Sequence, residues 1–90
     1  INAVMCGSDQ VAIGVLCEAR RRGVEVPAGL SVSGFGGFEL AMSSGFDLTT
    51  IEIPGREIGV ASAKALLDPE AARAKKVIDV GYTLIERGTT

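Results

Sequence analysis

Ninety residues hold one small domain at most, and a chain of that length buries only roughly 60–65% of its unfolded surface. The sequence is 47% hydrophobic, with mean hydropathy +0.33, net charge −2, pI near 5.0 and no histidine. That balance excludes the basic footprint of a nucleic-acid or anionic-membrane surface, and zero histidine removes the commonest general base and neutral metal ligand. No secretory-signal pattern and no apolar run long enough to cross a bilayer stands in the sequence. The high apolar fraction implies surplus apolar surface that a second copy or further chain would cover. Ile1-Asn2-Ala3-Val4-Met5-Cys6 opens abruptly as a strand, which reads as a fragment of a longer protein.

Asn2 to Cys6 is a continuous apolar run, the pattern of a strand covered on both faces. Gly7-Ser8-Asp9 turns into a helix, with Ser8 as N-cap and the Asp9 carboxylate in the first turn. The helix is predicted from Asp9 to Arg22. Val11, Val15 and Ala19 form one stripe and Ala12, Leu16 and Ala19 a second, with Ile13 toward the other side. It is therefore apolar nearly all round and is expected to pack on more than one neighbour. Arg20-Arg21-Arg22 followed by Gly23 ends it. Leu30 to Gly34 is a second strand, and Phe38 to Ser44 a short helix closed by Gly45. Leu48 to Ile53 is a third β-rich run, and a helix follows from Pro54 to Leu67 with Ile58, Ala61, Ala65 and Leu66 on its apolar face. Gly59 inside that helix is expected where close packing demands it. Pro69 to Lys76 reads as a loop or a frayed helical turn, and Val77–Val80 and Tyr82–Arg87 as two strand-like runs split by Gly81.

Two turns carry the candidate chemistry. If the strands are parallel, Ser8-Asp9 and Phe35-Gly36-Gly37 meet at one sheet edge, where open α/β sheets bind ligands. Backbone N–H groups there suit carboxylates and sugar hydroxyls. Gly34-x-Gly36-Gly37 fails the dinucleotide pattern G-x-G-x-x-G, whose last position is Glu39. The glycines also have a plain reading as a tight turn, and Ser8-Asp9 as a plain cap. Cys6 and Cys17 read as buried free thiols of a reducing compartment, since no zinc pattern exists. Arg20–Arg22 read as a solvated helix end. No nucleophile–base pair is visible, and the chain reads as a non-enzyme without metal or cofactor.

Ala3 to Leu16, with Arg22-Gly23-x-x-Val26-Pro27, resembles the lactose/galactose-repressor (LacI/GalR) family of bacterial transcription regulators. So do Leu30-Ser31-Val32-Ser33-Gly34-Phe35, Leu48-Thr49-Thr50-Ile51, Pro54 with Ile58-Gly59, and the ending Leu84-Ile85-Glu86-Arg87-Gly88-Thr89-Thr90. Gly34 to Glu39 and Asp79-Val80-Gly81-Tyr82 look most like the gluconate-operon repressor branch. The resemblance spans essentially the whole chain. It implies an α/β fold: an incomplete periplasmic-binding-protein-like (type I) fold, mainly parallel sheet with helices on both faces. Residues 1–90 would be the C-terminal fragment of the effector-binding and dimerisation core. The helix-turn-helix and most of the first lobe would lie outside it, and Ile51 to Leu67 would belong to that first lobe.

The resemblance also assigns roles. Ser8 stands where a ligand-touching Asn is usual, and Gly36 where an Asp often grips the effector. Ser8, Asp9, Phe35, Gly36 and Gly37 would line the effector site. Losing the carboxylate at Gly36 fits an anionic effector, a sugar acid such as gluconate, which a carboxylate would repel. Asp9–Arg22 and Gly37–Ser44 look like the dimer elements, with Val11, Ile13, Leu16, Phe38, Leu40 and Met42 at the interface. The implied protein is a cytoplasmic homodimer that reaches operator DNA only through its missing N-terminal domain. The other reading in play is a fragment of a transport system's sugar-binding protein.

Overall fold

The computed structural model describes all residues except Phe38, Ser44, Lys75 and Lys76, and of Leu40 and Ser43 the backbone alone. The elements are β1 (Ala3–Met5), α1 (Asp9–Arg21), β2 (Ser31–Ser33), α2 (Glu39–Ser43), β3 (Thr50–Glu52), α3 (Gly55–Leu67), α4 (Pro69–Ala74) and β4 (Thr83–Ile85). They fall into two compact units, residues 1–52 with 83–90, and residues 53–82.

In the first unit β1 and β2 pair in parallel, with Val4 opposite Val32. This is the geometry that a strand–helix–strand sequence predicts, because a parallel pair needs a long crossover. Beyond β2 the chain meets β3, again in parallel, through single bridges at Ser33–Thr49 and Gly36–Glu52. β4 lies antiparallel against β3, with Ile51 opposite Leu84. The parallel character expected of the sheet therefore holds through β3 and reverses at its last strand.

Ala12, Leu16, Val32, Ala41 and Leu48 form the core, with Cys6, Ile13, Val15, Val26, Leu30 and Phe46 packed against it. Of the apolar residues of α1 only the Ala12–Leu16–Ala19 stripe is buried; Val11 is exposed. Each large aliphatic side chain removed from water contributes about 1.5–3 kcal/mol. β1 differs from the doubly covered strand expected, since it is an edge and Met5 is 86% exposed.

The C-terminal residues are sewn into this core. The buried Thr89 hydroxyl donates to the Val32 carbonyl at 2.7 Å and accepts from the Thr49 amide at 3.0 Å. Arg87 N–H donates to Thr49 Oγ1 at 2.8 Å, and its guanidinium donates to the Leu48 carbonyl at 2.8 Å.

In the second unit α3 begins one residue later than predicted, after Pro54, and none of its residues is buried. Pro69–Ala74 is helical rather than loop because Asp68 caps it: the Ala71 amide donates to Asp68 Oδ1 at 3.2 Å, and Pro69 suits a first helical position. Val77–Val80 is not a strand. Asp79 instead accepts from the Gly81 amide at 2.7 Å, a side-chain turn that competes with pairing. Among the described residues nothing packs closely on Gly59, since a Cβ there would meet open space.

Thr89→Val is expected to destabilise the first unit by about 2–3 kcal/mol, because it strands the Thr49 amide and the Val32 carbonyl; urea denaturation measures this, and an unchanged midpoint contradicts it. Two glycines should respond in opposite directions. Gly37 has φ +70° and lies so close to Glu52 that a Cβ would sit 2.7 Å from its Cα. Gly37→Ala should cost about 1–3 kcal/mol, whereas Gly59→Ala in the open helix should gain about 0.5–1 kcal/mol, both read from thermal melts.

Candidate functional site

The turns after β1 and β2 meet at the carboxyl ends of these strands, as the parallel reading requires. Cys6 N–H donates to the Ser33 carbonyl at 2.8 Å, continuing the ladder, and Asp9 N–H donates to the Phe35 carbonyl at 3.0 Å. This second bond fastens the start of α1 onto the glycine turn. Ser8 caps the helix, its Oγ accepting from the Val11 amide at 3.2 Å with Ser8 in extended backbone at φ −154°. That leaves the Ser8 O–H as a donor, half-buried beside the turn. Phe35, in the same turn, is an apolar side chain 41% exposed.

Gly36 is buried and its N–H donates to the Ile51 carbonyl at 2.8 Å. That amide, expected to face a ligand, is committed to the ladder with β3. Its φ of +125° is a conformation that a side-chain-bearing residue adopts only under strain, so backbone geometry alone already favours glycine there. Gly37 follows against the Cα, Cβ and Cγ of Glu52, whose side chain is exposed.

Asp9 departs from its expected place at the ligand edge. It is 1% exposed, and the equally buried Thr50 donates its hydroxyl to Asp9 Oδ1 at 2.5 Å. A carboxyl group taken out of water needs such partners, which is why it turns inward. Thr50 was not legible as part of this site, because its partner lies far away in the chain. The one available signal was the polar pair Thr49-Thr50 between Leu48 and Ile51.

The interface candidates separate. Val11 and Met42 are exposed and Ile13 is half-buried. Leu16 is 4% exposed, because it fills the chain's own core and has no surface to offer a partner. Phe38 lies outside the described residues, as does the Leu40 side chain. The two thiols also differ from the buried pair expected. Cys17 is exposed on the outer side of α1, while Cys6 is half-buried and desolvation pushes its thiol up. Glu18 binds Arg21 and Arg22 at 2.6 and 2.8 Å, which holds its carboxyl below the usual range. A cavity of about 220 Å³ lies at the far end of α1, where the Arg20 guanidinium stands 4.5 Å over the Phe46 ring. Among the described residues no cluster of His, Cys, Asp or Glu is placed to hold a metal, and no helix is long and apolar enough to cross a membrane.

Comparison with known proteins agrees with this geometry. The sequence pattern of the periplasmic binding protein-like domain matches residues 2–90. An HTH-type transcriptional regulator from the aml 5′ region of Streptomyces limosus is 36% identical over 99% of this chain and 26% of its own length. The HTH-type transcriptional repressor CytR of Escherichia coli is 44% identical over 74% of this chain and 20% of its own. The structure of the transcription regulator GntR from Chromobacterium violaceum superposes with TM-score 0.82 at 35% identity, over 98% of this chain and 33% of its own. The chain thus spans between a fifth and a third of the length of these proteins. With that match over nearly every residue, the chain belongs to the periplasmic binding protein-like domain family, and it superposes on a solved LacI-family regulator from Lactobacillus casei with TM-score 0.83 at 27% identity, over 99% of this chain and 32% of that one.

Proposed function

We propose that this chain is the effector-binding and dimerisation part of a LacI-type transcriptional repressor that senses a sugar acid such as gluconate. Residues 1–90 would be the C-terminal part of its core, and operator DNA would be bound by a segment outside them, in the cytoplasm. The observation that carries the reading is the meeting of the Ser8 and Phe35 turns at one strand edge, joined by the Asp9 N–H to Phe35 bond. At that edge Ser8 offers a hydroxyl donor, Phe35 an apolar side chain, and Gly36 no carboxylate. An anionic effector avoids a like charge there, which at about 4 Å costs several kcal/mol at an effective dielectric near 20. Effector binding would shift the equilibrium between operator-competent and operator-incompetent states through its differential affinity for the two. The likeness to GntR supports the sugar-acid branch.

A second reading rests on Glu52. Its exposed side chain starts beside Gly37, and a carboxylate at this edge would favour the hydroxyls of a neutral sugar or nucleoside. A thermal-shift screen of the full-length protein separates the two. Gluconate at about 100 times its Kd should stabilise by about 2.7 kcal/mol, and neutral sugars should have no comparable effect. A shift with neutral sugars alone overturns the sugar-acid reading in favour of the Glu52 one. Sedimentation at micromolar concentration should return a dimer that Val11→Glu combined with Met42→Glu shifts toward monomer, and a monomeric parent protein rejects the dimerisation part.

A further inference from the structure

We infer that Thr50 is a positioning residue of the effector edge: through Asp9 it fixes the spacing between the Ser8 turn and the Phe35 turn. The inference rests on the effector reading of that edge, but its structural half stands independently of which ligand is bound. Thr50 sits in β3 between two ladder bonds. Gly34 N–H donates to the Thr49 carbonyl at 2.9 Å, and Gly36 N–H to the Ile51 carbonyl at 2.8 Å. Its hydroxyl leaves the strand at this junction and reaches Asp9 Oδ1 at 2.5 Å, the short end of the hydroxyl–oxygen range. Both residues are 1% exposed, so the bond is shielded from competing water.

Asp9 then passes the constraint on. Its N–H holds the Phe35 carbonyl, and its chain neighbour Ser8 caps the helix. The Asp9 carboxyl is also seated directly against Gly34, where any Cβ would collide with Oδ1. One buried carboxyl therefore touches β3 through Thr50, the end of β2 through Gly34, and the start of α1 by belonging to it. Losing the Thr50 hydroxyl removes the contact that ties the Asp9 carboxyl to β3. Ser8 and Phe35, which would contact the effector, then lose their shared reference.

The test compares full-length wild type, Thr50→Val and Thr50→Ser at a temperature where all three are folded. Two readouts are used: calorimetric binding of D-gluconate, and hydrogen exchange followed by mass spectrometry. Thr50→Val should weaken gluconate binding about tenfold, the size of one buried hydrogen bond, while Thr50→Ser should stay within about threefold of wild type. Exchange should quicken in Thr50→Val at residues 7–11 and 34–37, with residues 18–22 at the far end of α1 unchanged, and Thr50→Ser should restore the wild-type pattern. A purely structural loosening would quicken exchange along all of α1 and would overturn the inference. Wild-type binding and exchange in Thr50→Val would overturn it as well. If wild type does not bind gluconate, the sugar-acid reading fails, and the exchange pattern alone decides on Thr50. Should Thr50→Val not fold, Thr50→Cys, with its weak S–H donor, replaces it; the same local pattern at smaller amplitude is then required.

Discussion

The first unit depends on a hydroxyl group near the end of the chain. Thr89 inserts its side chain between β2 and β3, giving its proton to Val32 and taking one from Thr49. Those partners lie 57 and 40 residues earlier. β2 and β3 touch each other through isolated bridges, so their alignment relies on this third participant. Loop-closure entropy grows only slowly with loop length, which makes so distant a clasp thermodynamically accessible. Burial then makes it strict: donor and acceptor are both used, and neither could be left unpaired without a penalty of about 1–3 kcal/mol. The core that α1 covers is small, and five side chains alone would define it loosely.

Local chemistry made much of the framework legible. Ser8 before an apolar helix, arginines closing its last turn with Gly23 beyond, and a short uncharged strand run on either side suffice to write β1–α1–β2. Parallel pairing follows, because a helix-length crossover allows little else. Legibility ends where the deciding partner is remote. Thr49, Thr50 and Thr89 look like ordinary strand and tail residues until the fold brings them together. Asp9 reads equally well as a helix-dipole acid or a ligand contact until Thr50 turns it inward. The reversal at β4 has the same origin, since nothing in Thr83–Ile85 encodes direction.

The remaining differences are local signals that competed. Asp68-Pro69 marks both the stop of one helix and the start of the next, and only the start accounts for α4. Val77–Val80 has the residue types of a strand, but Asp79 satisfies the backbone by itself. Gly36 is the most instructive position. Chemistry reads it as a deleted carboxylate, and geometry reads it as a residue at φ +125° whose amide is fixed to Ile51. The two readings compete: a backbone at φ +125° strains any side-chain-bearing residue, so glycine is favoured at this position whatever the charge of the ligand.

The antiparallel β3–β4 ladder has one more consequence. The chain leaves the first unit after Glu52 and rejoins it at Thr83, and these two residues are direct partners in that ladder. The stretch from 53 to 82 is thus topologically an insertion between the arms of a hairpin. A two-residue Asn-Gly turn has the right twist to join the same two strands. The first unit is in this sense a port, at which a segment of quite different length can be spliced in while the strand register on either side stays as it is.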